Sequence, residues 1–360
     1  MSRSPILFRC DATPEQGWEN FYQCMTLAQA IQRRRRGTYF YSCLEPNNLA
    51  LIANRGGHEW VPAEHPVGSM DDLDATLHQA RRLNAAAVVI VAPHVSVEYL
   101  REMSASGIVV ITVEPEARLD YPNRLVFNPF LGVGEDQYHI ARGTQLLVGP
   151  RFPLIRGMIR RVRPLRSQEP PTPFRALVAM GDDDMNGRSV ELTKELADMP
   201  KVDKISIVAR PHHPRIDELR EFVKNEPGRL EIISENAEVS TRLTRAHFAL
   251  SSGCPWSLEF ACLGMPQLIL TDEQRYVANA ERLDEEGAAQ YLGSAKKVTP
   301  GQLRTAVQDL LLDPQERKSM TRIGRQLIDG RGTDRFVNGT EILLHVAARS
   351  VETPSVRLAA

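Results

Sequence analysis

Short apolar runs recur along the chain, separated by amphipathic stretches. Ile6–Cys10, Thr38–Cys43, Ala86–Ala92, Ile108–Val113 and Leu125–Asn128 are each apolar enough to be buried on both faces, as strands of a helix-covered parallel sheet are. The segment from Phe21 to Arg36 carries Met25, Leu27, Ala28 and Ile31 at near-helical spacing and ends in four arginines before Gly37. That predicts a helix with a solvated, cationic last turn. A second series places strands at Ala176–Met180, Ile205–Ala209, Leu230–Ser234, Phe248–Ser251 and Gln267–Leu270, and from Gln302 to about Ser350 the pattern is helical. Strands alternating with helices require right-handed crossovers and put ligand sites at the carboxyl ends of the strands. The fold class expected is therefore α/β, with two Rossmann-like domains of mostly parallel sheets facing across a cleft. Residues 1–167 form the first domain, 168–350 the second and 351–360 a loose tail; the prolines within Gln168–Pro173 mark the linker.

Composition adds exclusions. With 42% hydrophobic and 25% charged residues the chain has the balance of a globular protein. The net charge of -1 gives no reason to expect a nucleic acid partner. Cys10, Cys24, Cys43, Cys254 and Cys262 are odd in number and scattered, so neither a disulfide framework nor a metal site is written here, and no cofactor is required. No window approaches the roughly 20 apolar residues of a membrane span and no apolar leader follows Met1, which favours the cytoplasm. A monomer is the expectation.

Two strand-to-helix loops could carry ligand chemistry. Gly181-Asp-Asp-Asp-Met-Asn-Gly187 precedes a helical stretch, where backbone amides can receive a phosphate through Gly181 with help from Asn186. Its aspartates would repel a diphosphate, and acidic stabilisation of the helix N-terminus explains them equally well. In Ser251-Ser-Gly-Cys-Pro-Trp-Ser257, Ser252, Gly253 and Ser257 let a phosphate approach, Pro255 suits a first helical turn, and Glu259 lies one turn further in.

The run from Ser252 to Gln274, with its Gly253, Trp256-Ser-Leu-Glu259 and Leu263-Gly-Met-Pro266, resembles the signature of the UDP-sugar hydrolases of pseudaminic acid synthesis. These share a superfamily, of glycosyltransferase-B architecture, with the peptidoglycan N-acetylglucosaminyltransferase. Arg9-Cys-Asp-Ala-Thr13, Cys24-Met-Thr-Leu-Ala28, Leu147 to Arg156, and Leu327-Ile-Asp-Gly-Arg-Gly332 with Arg335 resemble the family's further motifs in the same order. The resemblance implies a UDP-sugar ligand, with Glu259 on the ribose and Ser252 and Gly253 on the diphosphate. It also exposes a departure. The family's first loop ends in a histidine implicated in activating water, and here the loop reads Gly17-Trp-Glu-Asn20. An amide does not titrate near neutrality and cannot act as general base. On the sugar side Gly17, Asn20, Glu19, Asp11, Glu273 and Gln274 remain candidates, and Glu19, Asp11, Glu114 or Glu273 could replace the base.

His94 reads as surface polarity, and the adjacent His212 and His213 as a turn rather than a zinc site. Arginines 151, 156, 160, 161, 163 and 166 make the linker region basic; they read as solvated charges or as a contact for anionic lipid headgroups, the latter fitting a lipid-linked acceptor. Three readings follow: a hydrolase cleaving the anomeric C–O bond to release UDP, a transferase passing the sugar to a carbohydrate acceptor, and a non-catalytic relative that binds or regulates.

Overall fold

The computed structural model describes residues 3–352 except 93–94, 182–183, 185–186 and 235. Asp182, Asp183, Asn186, His94 and most of the expected tail therefore lie outside the described residues. The first domain contains β1 (Arg3–Arg9), α1 (Glu19–Gln32), β2 (Arg36–Ser42), α2 (Asn48–Arg55), β3 (Glu59–Pro62), α3 (Met70–Arg82), β4 (Ala87–Ile90), α4 (Val97–Ala105) and β5 (Val109–Val113). After them come a small ribbon of β6 (Asp120–Tyr121) with β8 (His139–Ile140), and the strands β7 (Leu125–Phe127) and β9 (Gln145–Leu147). Helix α5 (Gly157–Val162) leads towards the second domain, which holds β10 (Phe174–Ala179), α6 (Arg188–Ala197), β11 (Val202–Val208), α7 (Ile216–Val223), β12 (Leu230–Ile233), α8 (Asn236–Arg245), β13 (Phe248–Ser251), α9 (Pro255–Leu263), β14 (Gln267–Leu270), α10 (Gln274–Glu285), β15 (Gln290–Gly293), α11 (Pro300–Leu312) and α12 (Pro314–Leu327).

The first sheet has seven strands in the order β3-β2-β1-β4-β5-β7-β9, the second six in the order β12-β11-β10-β13-β14-β15. Every pairing within them is parallel. In each, the order reverses beside the first strand of its domain, leaving a crevice at the strands' carboxyl ends. Central strands such as β4, with the pattern Ala-Val-Val-Ile, are buried at every position. That is why continuous apolar runs found them.

Three differences from the sequence expectation have physical causes. Helix α1 ends at Gln32; Arg35 takes a left-handed φ of 58°, and Arg36 opens β2, buried, with its guanidinium on Glu341. The expected cationic helix end is thus partly a strand residue with a fixed counter-ion. The linker arginines, too, are mostly structural. Arg163 donates to the carbonyls of Ile328 and Arg325, Arg166 to those of Leu243 and Ala246, Arg156 binds Glu259, and Arg160 pairs with Asp334. These groups bridge elements instead of forming one solvated face for lipid headgroups.

The last helix, α13 (Gly332–Glu352), crosses back to the first domain, although its residues were assigned to the second. Phe336, Val337, Leu343 and Leu344 join the core around β1 and α1, with the Phe336 ring 4.8 Å from that of Phe127.

The domains touch through backbone. Gly132, in the loop after β7, has a φ of 95°, and a Cβ there would stand 2.3 Å from the Ala278 carbonyl oxygen of α10. Beside it the Leu131 N–H donates to Asn279 Oδ1 at 3.1 Å. Gly132→Ala is expected to cost about 1–3 kcal/mol from strain and overpacking. It should also push the domains apart, read as a lower Tm and a larger radius of gyration in solution scattering. An unchanged Tm and radius would show that this contact does not set the domain arrangement.

Candidate functional site

The carboxyl ends of the two sheets meet at α1, the loop after β13 and the start of α10. Glu19 opens α1; it is buried, and its Oε1 accepts from Gln23 Nε2 at 3.4 Å. Its charge reaches across the interface. Burial first, and Glu19 second, push the Cys254 thiol up to about 12 and raise the Tyr276 phenol. Asn20 lines a cavity of about 60 Å³ together with Glu114, Arg118, Arg275 and Tyr276. Glu19 lines an adjoining one of about 40 Å³ with Tyr22, Arg156, Arg210, Trp256 and Glu259. A small-molecule site typically offers ~300 Å³ or more, so a nucleotide-sugar requires this cleft to open.

Aromatic and ionic contacts hold it shut. The Tyr22 ring of the first domain lies against the Arg210 guanidinium, 3.6 Å from the ring centre, and stacks on His212 at 5.7 Å. Trp18 meets the same imidazole at 5.2 Å. His212 thus serves as an interdomain contact, a role that a turn-like Pro-His-His segment gave no way to foresee. His213 sits behind it, buried, with Nε2 3.5 Å from Asp184 Oδ2.

The structure brings some candidate residues to the cleft and spends others on the fold. Asp11 is not offered to ligand. Its Oδ1 takes the Arg9 guanidinium and the Cys43 N–H (2.8 Å), and its Oδ2 takes the Val67 N–H (3.0 Å). Arg9 in turn binds Asp72 through Nε at 2.6 Å, and all three side chains are buried. This corrects the expectation of Asp11 as a base, because both carboxylate oxygens are already taken by donors inside the fold.

Ser257 is fully buried, donates to the Cys254 carbonyl at 2.7 Å and accepts from Asn279 at 3.1 Å. Its hydroxyl is committed to the loop, not to a nucleotide. Gly17 is buried with a φ of 78° and closes the turn on the Thr13 carbonyl at 2.8 Å. Gln274 is exposed at the start of α10, while Glu273 accepts from Arg275 Nε at 2.9 Å. Glu114 is held by the Glu116 N–H and by Arg118.

In the second domain, Ser252 and Gly253 form the strand-to-helix turn between β13 and α9, as expected. Ser252 donates to the Met180 carbonyl at 2.9 Å, and the Gly253 carbonyl accepts from Asn279 at 2.7 Å. Gly253 has a φ of 76°, and a Cβ would lie 3.1 Å from the Tyr276 carbonyl oxygen, so only glycine lets α10 come this near. Gly181 faces Cys254 across the loop. Asp184 already supplies an anion at the N-terminus of α6, its oxygens accepting from the Arg188 N–H (2.9 Å) and the Ser189 N–H (3.0 Å). The helix-stabilising reading of that acidic loop holds for this residue.

Glu259 reaches the cleft wall, but Arg156 holds it. The Arg156 N–H donates to Oε1 at 3.1 Å and Nε donates to Oε1 at 2.8 Å, while Nη2 donates to Oε2. The guanidinium also lies over the Trp256 ring at 4.1 Å. A ribose can take this carboxylate only by displacing Arg156.

Among the described residues no cluster of side chains could hold a metal, and no helix is long and apolar enough to cross a membrane. No known family profile matches the sequence. Over the whole fold, a MurG structure from Acinetobacter baumannii superposes with a TM-score of 0.62 at 13% identity, covering 93% of this chain and 98% of that one. The spinosyn rhamnosyltransferase SpnG, complexed with spinosyn aglycone, gives 0.65 at 15% identity over 94% of this chain and 100% of the other.

The fold is that of the glycosyltransferase-B proteins.

By sequence, part of the chain is similar to the spore coat polysaccharide biosynthesis protein SpsG of Bacillus subtilis (strain 168), 25% identical over 158 residues. The match takes in 43% of this chain and a little under half, 46%, of SpsG. The glycosyltransferase-B fold thus stands on structure, and the chain spans less than half the length of the relative it matches by sequence.

Proposed function

We propose that this protein binds a nucleotide-activated sugar, with UDP as the nucleotide, in the cleft between its domains, and acts on precursors of a surface polysaccharide. The observation that carries the reading is the meeting of the loop after β13, through Cys254, Pro255 and Trp256, with Glu19, beside the cavity lined by Asn20, at the carboxyl ends of both sheets. Backbone amides of the turn suit a diphosphate, and Glu259, once released by Arg156, suits ribose hydroxyls. The sugar would lie over Asn20, and Glu19 beside it, which lines the adjoining cavity, would take a proton from water or from an acceptor hydroxyl. Asn20 cannot act as base and Asp11 is bonded within the fold, so an active enzyme would draw on Glu19.

Two measurements separate the readings. Calorimetric titration with UDP should give saturable heat, and silence at millimolar UDP would sink the proposal. Incubation with UDP-sugars, with and without cell extract as acceptor source, divides hydrolysis from transfer. Asn20→His is expected to create or raise UDP release, by about 10²-fold if general-base catalysis is restored. No gain would mean that the pocket does not present a hydrolase geometry.

A further inference from the structure

A further cavity, of about 300 Å³, lies at the opposite end of the second sheet's strands from the cleft. His247 and Pro266, which immediately precede β13 and β14, line it, so it opens at the amino ends of those strands. The cleft lies at their carboxyl ends. Four cations face the cavity, Arg166, Arg317, Lys318 and Arg322, against one lining carboxylate, Glu169. Its size is at the lower end of the range for small-molecule sites.

Arg166 is the residue that asks for a ligand. Its side chain is buried, with the residue 4% exposed, and its Nη1 is used on the Leu243 and Ala246 carbonyls at 2.9 and 2.5 Å. Its Nε has no hydrogen-bond acceptor among the described residues. Burial pushes this guanidinium down to about 10 and the charge of Arg325 adds to that, with Glu169 pulling the other way. A desolvated cation with an idle donor is costly unless an anion joins it.

Glu169 does not fill that role. It is bound by Arg317, whose Nε donates to Oε1 at 2.5 Å, and no hydrogen bond joins it to Arg166. His247, 1% exposed, accepts the Arg175 N–H on Nδ1 at 3.1 Å, which leaves the ring proton on Nε2. That N–H makes no well-formed hydrogen bond among the described residues; burial pushes the imidazole down from its ordinary value, with Glu169 and the Pro170 carbonyl pulling the other way. Lys318 and Arg322, one turn apart on α12, add exposed donors at the rim.

We propose that this cavity binds a small phosphorylated metabolite, a phosphomonoester dianion whose oxygens accept from Arg166 Nε, His247 Nε2 and the rim cations while its carbon body rests on Gly264 and Pro266. A phosphate has three oxygens to share among these separate donors, where a carboxylate has two, and forms charge-assisted hydrogen bonds with each. The site is independent of the cleft and of what binds there. Its lining runs from Arg166 into the linker at Gln168 and Glu169, so its occupant would touch the chain where the domains join.

Titrating the full chain with inorganic phosphate and with glycerol 3-phosphate, in phosphate-free buffer, tests this. Saturable one-to-one binding is expected, tighter for the ester and unchanged by saturating UDP. Amide hydrogen exchange should slow at 166–169 and 317–322 when the ester is added. Arg166 also caps α8 and its replacement could disturb folding, so the rim double variant Lys318→Ala/Arg322→Ala is used, with a loss of affinity of about tenfold or more expected. Absence of saturable binding, competition by UDP, protection confined to the cleft, or undiminished affinity in the rim variant would each overturn the proposal.

Discussion

Arg9→Met is expected to remove a large share of the stability of the first domain. Arg9 is fully buried on β1 and neutralises two buried carboxylates, Asp11 and Asp72, while its Nη2 donates to the His65 carbonyl at 2.8 Å. Tyr99 and Thr76 complete the cluster by donating to Asp72 at 2.8 and 3.2 Å. Removing only the cation leaves two carboxylates desolvated and facing each other, which costs about 3–5 kcal/mol when a buried pair is broken. A domain has about 5–15 kcal/mol in all. Urea unfolding would measure the loss, and Arg9→Met/Asp11→Asn/Asp72→Asn should recover part of it by removing the stranded charges. A loss under about 1 kcal/mol would mean that water reaches the cluster.

The second large effect is expected at Arg156. Arg156→Ala strands the Glu259 carboxylate and uncovers the Trp256 ring. The expected destabilisation is about 2–4 kcal/mol, discounted from the fully buried case because the guanidinium is partly solvated. The same change frees the acceptor that a ribose needs, so UDP should bind about tenfold more tightly to the variant that remains folded. Calorimetry on the wild type, Arg156→Ala and Glu259→Gln decides the point. Weaker binding in Arg156→Ala would show that the arginine itself grips the nucleotide and that Glu259 is a structural partner.

The central strands were legible because burial on both faces writes a continuous apolar run, as in β4 and β13. Besides the two-residue strands β6 and β8 of the small ribbon, the strands the pattern missed are β3, β9 and β15, each at the edge of its sheet. Glu59-Trp-Val-Pro62, Gln145-Leu-Leu147 and Gln290-Tyr-Leu-Gly293 are mostly half-exposed or exposed and mix polar with apolar residues. An edge strand is defined by its neighbour's hydrogen bonds, which no local pattern records.

The site was legible to a similar depth. The strand-to-helix order brought out the turn at Ser252–Gly253, and the resemblance to the UDP-sugar hydrolases brought out Glu19 and Asn20. It did not show which polar residues are already bonded. Asp11, Ser257 and Glu259 look alike in sequence as candidates, yet their partners lie at Arg9, Cys43 and Val67, at Asn279, and at Arg156. The contact of His212 with Tyr22 spans a sequence separation of 190 residues and was equally out of reach.

Because α13 returns to pack on β1 and α1, the polypeptide passes between the halves twice, once before β10 and again after α12. A body tied to another at two points swings most freely about the line joining them, like a door on a pair of pins. The swing that admits a substrate should therefore be a rotation about one axis. Cutting the gene at the first passage would leave the amino-terminal half without the helix that seals its core.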